Sequence, residues 1–382
     1  DGRVVSPFTE DYPASILSDL LVYAHGNDFP QVPLGRLEAP GKLNAKPDLV
    51  TLWLRLAPSN LPSSAVRLLT AADGDEANAQ YASHVVNIVI PGFGDERIQG
   101  GDGAFAFGRA ASAFYDHFSD QYQTLTFVPR KSPVGESEQM NVNVMNDIAG
   151  VGMPLVDERA LFDSEVLRSV QLLSAGFLAQ RRAGLHQLAH HWGDMSDLAD
   201  IAGVVSAGFE PERHTPLVSP GATIVGAVLD GTREIRRFST EAGEVFRVAA
   251  SAAPVLFHPL QLYRMGFLDP AQIPDITVFE RQDQFDAVRV ATPVVGTEIV
   301  GPHVTIGIND IMAALGPREG PVFSEWNQAF VVVSDELVSR REMDYFNFYA
   351  KRAEATTGTR SYDGFGSFNE ATGGRALLNT GI

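Results

Sequence analysis

A chain of 382 residues with 45% hydrophobic and 20% charged residues has the composition of an ordinary folded protein, with room for one large domain or two to three smaller ones. Its formal net charge of −18 argues against nucleic acid, because a phosphate-binding surface needs clustered Lys and Arg. The basic pairs Arg181-Arg182, Arg236-Arg237 and Arg340-Arg341 are isolated and diluted by acid. No run of about 18 apolar residues is present, so no membrane span is expected. With no cysteine, any metal must be held by His, Asp or Glu. The first residues, Asp1 to Val5, lack the basic start and apolar stretch of a signal peptide, which fits a cytosolic protein or a mature chain whose leader is gone.

In chain order, the segment to residue 45 carries Pro7, Pro13, Pro30, Pro33 and Pro40 and reads as an irregular surface arm. Asp48–Leu56 and Ala65–Ala71 read as two strands of an N-terminal β-region. Asp73 to Glu76 reads as a solvated acidic turn, since no complete calcium-ligand spacing follows. His84–Pro91 is a near-continuous apolar run suited to a buried strand. Gly92–Gly108 lacks a phosphate-binding spacing and reads as a loop, and Phe105–Phe118 places Phe107, Ala110, Ala111, Phe114 and Phe118 at helical intervals. Tyr122–Val128 is a strand candidate, Asn141–Asn146 an edge strand, and Leu167–Trp192 a long helix with a possible break near Gly176. Further on, Ile276–Phe279, Ala287–Ala291, His303–Ile308 and Ala329–Val333 look like strands. Asn309–Leu315 reads as a short helix or turn, and Asp335–Ala355 as a helix.

The chemistry concentrates in Leu185-His186-Gln187-Leu188-Ala189-His190-His191-Trp192-Gly193. On a helix His186 and His190 project from one face, one turn apart, as two nitrogen ligands of a tetrahedral zinc must. A pair of packed, hydrogen-bonded histidines is the plainer alternative. In the metallopeptidase form H-E-x-x-H the glutamate takes a proton from zinc-bound water. Gln187 stands in that place, and an amide cannot hold a proton in transit. A third ligand is required. His214 is the favoured candidate, with Asp197 or Asp200 as runner-up; Ser196 occupies the position where a long metzincin pattern would have its third His. Downstream, Met265 before Gly266 can form the apolar floor under a metal, and Tyr263 can donate to a developing oxyanion, although Leu-Tyr-x-Met is also ordinary core material. His191 reads as solvent-facing or packed, Trp192 as core, and His258 as a support for the site or a structural residue.

The order H-x-x-x-H-x-W, then Gly221–Gly226, then Pro259–Gly266 resembles a group of bacterial secreted zincin-like proteins of unassigned function. Phe114-Tyr115, Asp120, Tyr122–Leu125, Ile308–Ile311, Gly316–Arg318 and Phe368–Arg375 fit the same group, so the likeness spans roughly residues 84 to 382. The resemblance implies one zinc ion on His186, His190 and His214, a Met-turn at Met265 with Tyr263, and a secreted location. Gln187 departs from it, which leaves metal binding in place and puts hydrolysis in doubt.

The resulting expectation is an α+β fold: a zincin-like mixed sheet with a long metal-binding helix, a β-rich N-terminal extension and a C-terminal α/β portion. The boundaries expected are an arm and extension over 1–80, the zincin-like domain over 81–270, and a packed C-terminal subdomain over 271–382. The favoured function is a zinc-binding pseudopeptidase with Gln187 and Tyr263 in the catalytic positions and a peptide or protein as partner. The alternatives are a zinc endopeptidase, either active through a carboxylate such as Asp194, Asp197, Glu210 or Glu212 or deliberately silenced at Gln187, and a non-enzymatic extracellular structural or assembly protein.

Overall fold

The computed structural model describes residues 64–70, 76–93, 103–130, 139–173, 183–193, 197–204, 217–218, 233–240, 243–250, 256–281, 283–284, 294–356 and 367–382, with the strands Leu20–Tyr23, Pro33–Arg36 and Arg55–Pro58. Eight strands build its main sheet: β1 (Arg67–Thr70), β2 (Ala77–Tyr81), β3 (Val85–Val89), β4 (Thr124–Pro129), β5 (Met140–Asn143), β6 (Ser169–Leu172), β7 (Glu325–Ser334) and β8 (Leu377–Asn379). Their order is β1-β2-β3-β7-β4-β6-β5, with β8 continuing the edge of β7 beyond β3. The middle of the sheet is parallel, from β3 through β7 and β4 to β6. Antiparallel strands close it on both sides, β1 and β2 at one edge and β5 at the other. The fold is therefore α+β with a mixed sheet; of the strand expected over Asn141–Asn146, Met140–Asn143 forms the edge and Met145–Asn146 pairs instead with Val156–Asp157 in a separate two-stranded sheet.

The parallel strands are buried on both faces because both faces are covered. On one side α1 (Gly103–Tyr115) sets Phe107, Ala110, Ala111 and Phe114 against Val86, Ile88, Leu125, Phe127, Val331 and Val333. On the other lie α2 (Ala183–Ala189), α3 (Asp197–Ala202), α4 (Pro259–Met265), α5 (Ile308–Leu315), α6 (Arg340–Arg352) and α7 (Phe368–Ala371), which contribute to a second core with Val85, Val128, Trp326, Phe330 and Val332. Helix α6 begins at a reciprocal cap between Ser339 and Glu342. Smaller sheets surround this body: the hairpin Arg233–Thr240/Gly243–Ala250 pairs with Glu298–Ile299, and Ile276–Phe279 pairs with Leu217–Val218 and His303–Ile306. Among the described residues no helix is long and apolar enough to cross a membrane.

Four expectations change. Leu167–Trp192 is not one helix: Ser169–Leu172 is strand β6, parallel to β4, and the described helical part is α2, Ala183–Ala189, with the turn His190–Trp192. Pro259–Met265, to which no element was assigned, is a helix with its own cap, and the Met265-Gly266 pair of the expected Met-turn is that helix's C-terminal end. Within the N-terminal arm, Leu20–Tyr23 and Pro33–Arg36 pair as strands. The segment 271–382 does more than pack against a finished domain, since its strand β7 lies between β3 and β4 and β8 extends the same sheet. The expected strand at Ala287–Ala291 lies outside the described residues.

Trp326 on β7 ties the layers together. It is fully buried, donates from Nε1 to Thr124 Oγ1 at 2.9 Å, and packs on Trp192 with ring centroids 5.0 Å apart. Trp326→Ala should lower unfolding stability by about 3–5 kcal/mol in chemical denaturation, the usual cost of emptying such a site.

Candidate metal centre

Helix α2 crosses the sheet over β6 and β5. Gly184 sits against Leu173, just past the end of β6, with only 3.6 Å between its Cβ position and Leu173 Cδ1. At the other end His191 bonds to Asn143 on β5. Gly184, Leu188 and His191 are spaced i, i+4, i+7 and form the sheet-facing stripe, so His186 and His190 project from the side turned away from it.

The helix is short. His186 lies in α2, while His190 opens the 3₁₀ turn His190–Trp192 that continues it. Gly193 ends the element at φ 87°, a left-handed conformation natural to glycine, and a Cβ there would stand 2.9 Å from Arg264 Nη1. The two imidazoles nevertheless converge: His186 Nε2 and His190 Nε2 are 3.2 Å apart, with ring centroids at 4.9 Å and planes at 80°. Both rings are half-buried, and Gln187 between them is buried. Such a separation suits an N–H···N bond between complementary tautomers, and equally the approach of two nitrogens to one ion.

The remaining candidates divide. His214 lies outside the described residues, as do Asp194, Glu210 and Glu212. Asp197 is half-buried at the start of α3 with its carboxylate against Gly152, and Asp200 is exposed. Among the described residues no group of three His, Asp or Glu side chains stands close enough to hold an ion, so neither aspartate joins the histidine pair as a third ligand. Tyr263 is buried, and its hydroxyl accepts from Arg318 N at 3.2 Å while pointing its proton at Met312 Sδ, 3.4 Å away. Those partners lie on α5 and the turn after it, not on α2. Met265 is the last residue of α4, 2% exposed, in the same core as Leu185, Leu188 and Ala189 of α2. The left-handed Gly266 that comes after it caps the helix.

A polar seam beneath α2 was not among the features expected from the sequence. Thr124 and Thr126 on β4, Ser169 and Gln171 on β6, and Asn141 and Asn143 on β5 stand in register on one face of the sheet. Thr124 Oγ1 bonds to Ser169 Oγ at 2.9 Å, Thr126 Oγ1 donates to Gln171 Oε1 at 3.0 Å, and Asn141 Nδ2 donates to Asn143 Oδ1 at 3.1 Å. Every member is uncharged, so the seam carries hydrogen bonds without the desolvation cost of buried ions. Strand alternation could have found it, because these residues occupy alternate positions of three strands.

Two histidines that the sequence left between roles are wholly buried. His191 is pushed down to about 3, chiefly by burial, then by the charge of Arg168, with Asp147 acting the other way. His258 is pushed down to about 3 by burial and then by Arg264, and its Nδ1 caps α4 by accepting from Leu260 N at 3.1 Å. A histidine whose folded pKa lies below its unfolded value of about 6.5 binds its proton more readily when unfolded. Its stabilising contribution is complete above about pH 6.5 and is lost as pH falls toward 3. Unfolding free energy should therefore drop between pH 6.5 and 5. His258→Asn, which keeps a capping acceptor but cannot titrate, should flatten that slope in denaturation curves by up to about 1.4 kcal/mol per pH unit.

Comparison of the chain with protein-family models, with curated proteins and with solved structures finds no match.

Proposed function

We propose that this chain is a zincin-like scaffold that binds one zinc ion through His186 and His190 and is impaired in peptide hydrolysis at Gln187. The observation that carries the reading is the 3.2 Å between the two Nε2 atoms. Two nitrogens on one tetrahedral zinc, each at about 2.0–2.1 Å, are about 3.3–3.4 Å apart. The rings are thus already set within a few tenths of an ångström of a chelating pair. His214 is the proposed third ligand, the loop residue that would complete a three-nitrogen set.

Bound zinc would supply a Lewis acid and lower the pKa of its water. The chain's own residues set how far hydrolysis can proceed. The Gln187 amide can orient a polar group by donating or accepting, yet it cannot take a proton and give it back. Loss of a general base typically costs about 10²–10⁴ in rate. Tyr263 offers little compensation, because its hydroxyl is committed to Arg318 and Met312. A retained site without efficient turnover suits capture of a peptide or protein more than its digestion, and the resemblance to secreted zincin-like proteins is what supports a secreted location.

Elemental analysis of the purified chain should find about one zinc per molecule, lost in His186→Ala/His190→Ala. Gln187→Glu should raise chelator-sensitive cleavage of a fluorogenic peptide library at least 100-fold above wild type. Absence of zinc in the wild type would overturn the metal reading. Equal cleavage by wild type and Gln187→Glu would overturn the assignment of the defect to position 187.

A further inference from the structure

We infer that Asn143 and His191 are positioning residues for the metal ligand His190, locking the turn that carries it to the edge strand of the sheet. The inference rests on the metal reading above and adds to it a pair of residues outside the ligand set.

The geometry is specific. His190 belongs to a three-residue 3₁₀ turn, less strongly held by its own backbone than the α-helical turn bearing His186. Its anchors come from outside. His191 Nδ1 lies 3.1 Å from Asn143 Oδ1, and that oxygen also accepts from Asn141 Nδ2 at 3.1 Å. Since the amide oxygen can only accept, His191 Nδ1 is the protonated nitrogen, and the tautomer is fixed. The ring is fully buried and wedged against Trp192 and Trp326, with centroids 5.0 and 5.3 Å away, so it can neither rotate nor exchange its partner for water. On the far side of the turn, the Trp192 carbonyl accepts from Arg264 Nη1 at 3.4 Å. One residue away from this anchored ring, His190 has its backbone placed and only its own χ angles left to set.

Asn143 is itself well fixed, because β5 is registered on β6 with Asn143 opposite Ser169. The other edge of β5 has no strand partner among the described residues. The turn that carries His190 is therefore referenced to the last strand of the sheet through the His191–Asn143 hydrogen bond, with Asn141 of the same strand holding the Asn143 amide oxygen. A shift of β5 would be felt at His190 before it reached His186, which sits over the middle of α2.

Cobalt(II) titration of the full chain tests this, because its visible spectrum reports ligand geometry in a folded protein. Asn143→Ala should raise the cobalt Kd about tenfold or more and alter the bound spectrum, within the about 10–100-fold range seen when partners that orient ligands are removed. Asn143→Asp, which keeps an acceptor at the same place, should bind within about threefold of wild type. Should Asn143→Ala fail to fold, His191→Phe carries the test, since it keeps a ring between the tryptophans and lacks the donor. An unchanged Kd and spectrum in either folded variant, with a lowered melting temperature alone, would overturn the positioning role while leaving the metal reading intact. A wild-type chain that takes up no cobalt would overturn both.

Discussion

The strand Glu325–Ser334 is the constraint on which the rest of the molecule depends. It lies between β3 and β4, parallel to both, and its outward edge also receives Leu377–Asn379. Residues separated by some two hundred positions must meet before the sheet has a centre, so neither half of the chain owns a complete core. Alternate residues of this strand feed the two layers: Ala329, Val331 and Val333 pack toward α1, while Trp326, Phe330 and Val332 pack toward the helices of the other face.

Trp326 turns that constraint into a site. Its indole N–H holds Thr124, the first member of the polar seam, and its ring receives both Trp192 and His191. Gln328 on the same strand donates to Thr126 at 2.6 Å. The short histidine helix thus rests on a platform that is hydrogen-bonded from strand to strand, with aromatic packing at one end and the Gly184–Leu173 contact at the other. Short helices are marginal alone and are stabilised by the surface they cover. Here that surface sets which face of α2 is buried, and so which face presents His186 and His190.

Much of this was legible in the residues. The buried strands Val85–Val89 and Thr124–Pro129, the strand Ile276–Phe279 and the helices Ile308–Leu315 and Arg340–Arg352 all arise from apolar runs or helical spacing close to where they occur. Strand β6 did not, because Leu167, Val170, Leu172 and Leu173 satisfy helical spacing as well as a buried strand, and periodicity cannot separate the two over so short a run. The helix α4 carried its signals openly, with Pro259 at its first turn and Gly266 after its last, but the Met-Gly pair at its end also suits a tight turn. In the hairpin Arg233–Ala250 the first strand carries exposed Arg236, Arg237, Ser239 and Thr240, which mask its pattern, and no Asn-Gly or Asp-Gly marks the turn. The histidine pair was readable from its spacing alone. His191 beside it was in plain view, but its partner Asn143 and the Arg264 that bonds to the Trp192 carbonyl come from distant segments and meet the turn only when the sheet is assembled.

The central claim is that His186 and His190 chelate one ion. The most direct measurement is anomalous scattering at the zinc edge from crystals of the full chain grown with zinc. The account predicts a single strong peak about 2.0–2.1 Å from both Nε2 atoms, with His214 as the third nitrogen. A map with no peak between the two rings, and the rings still joined to each other, would contradict it.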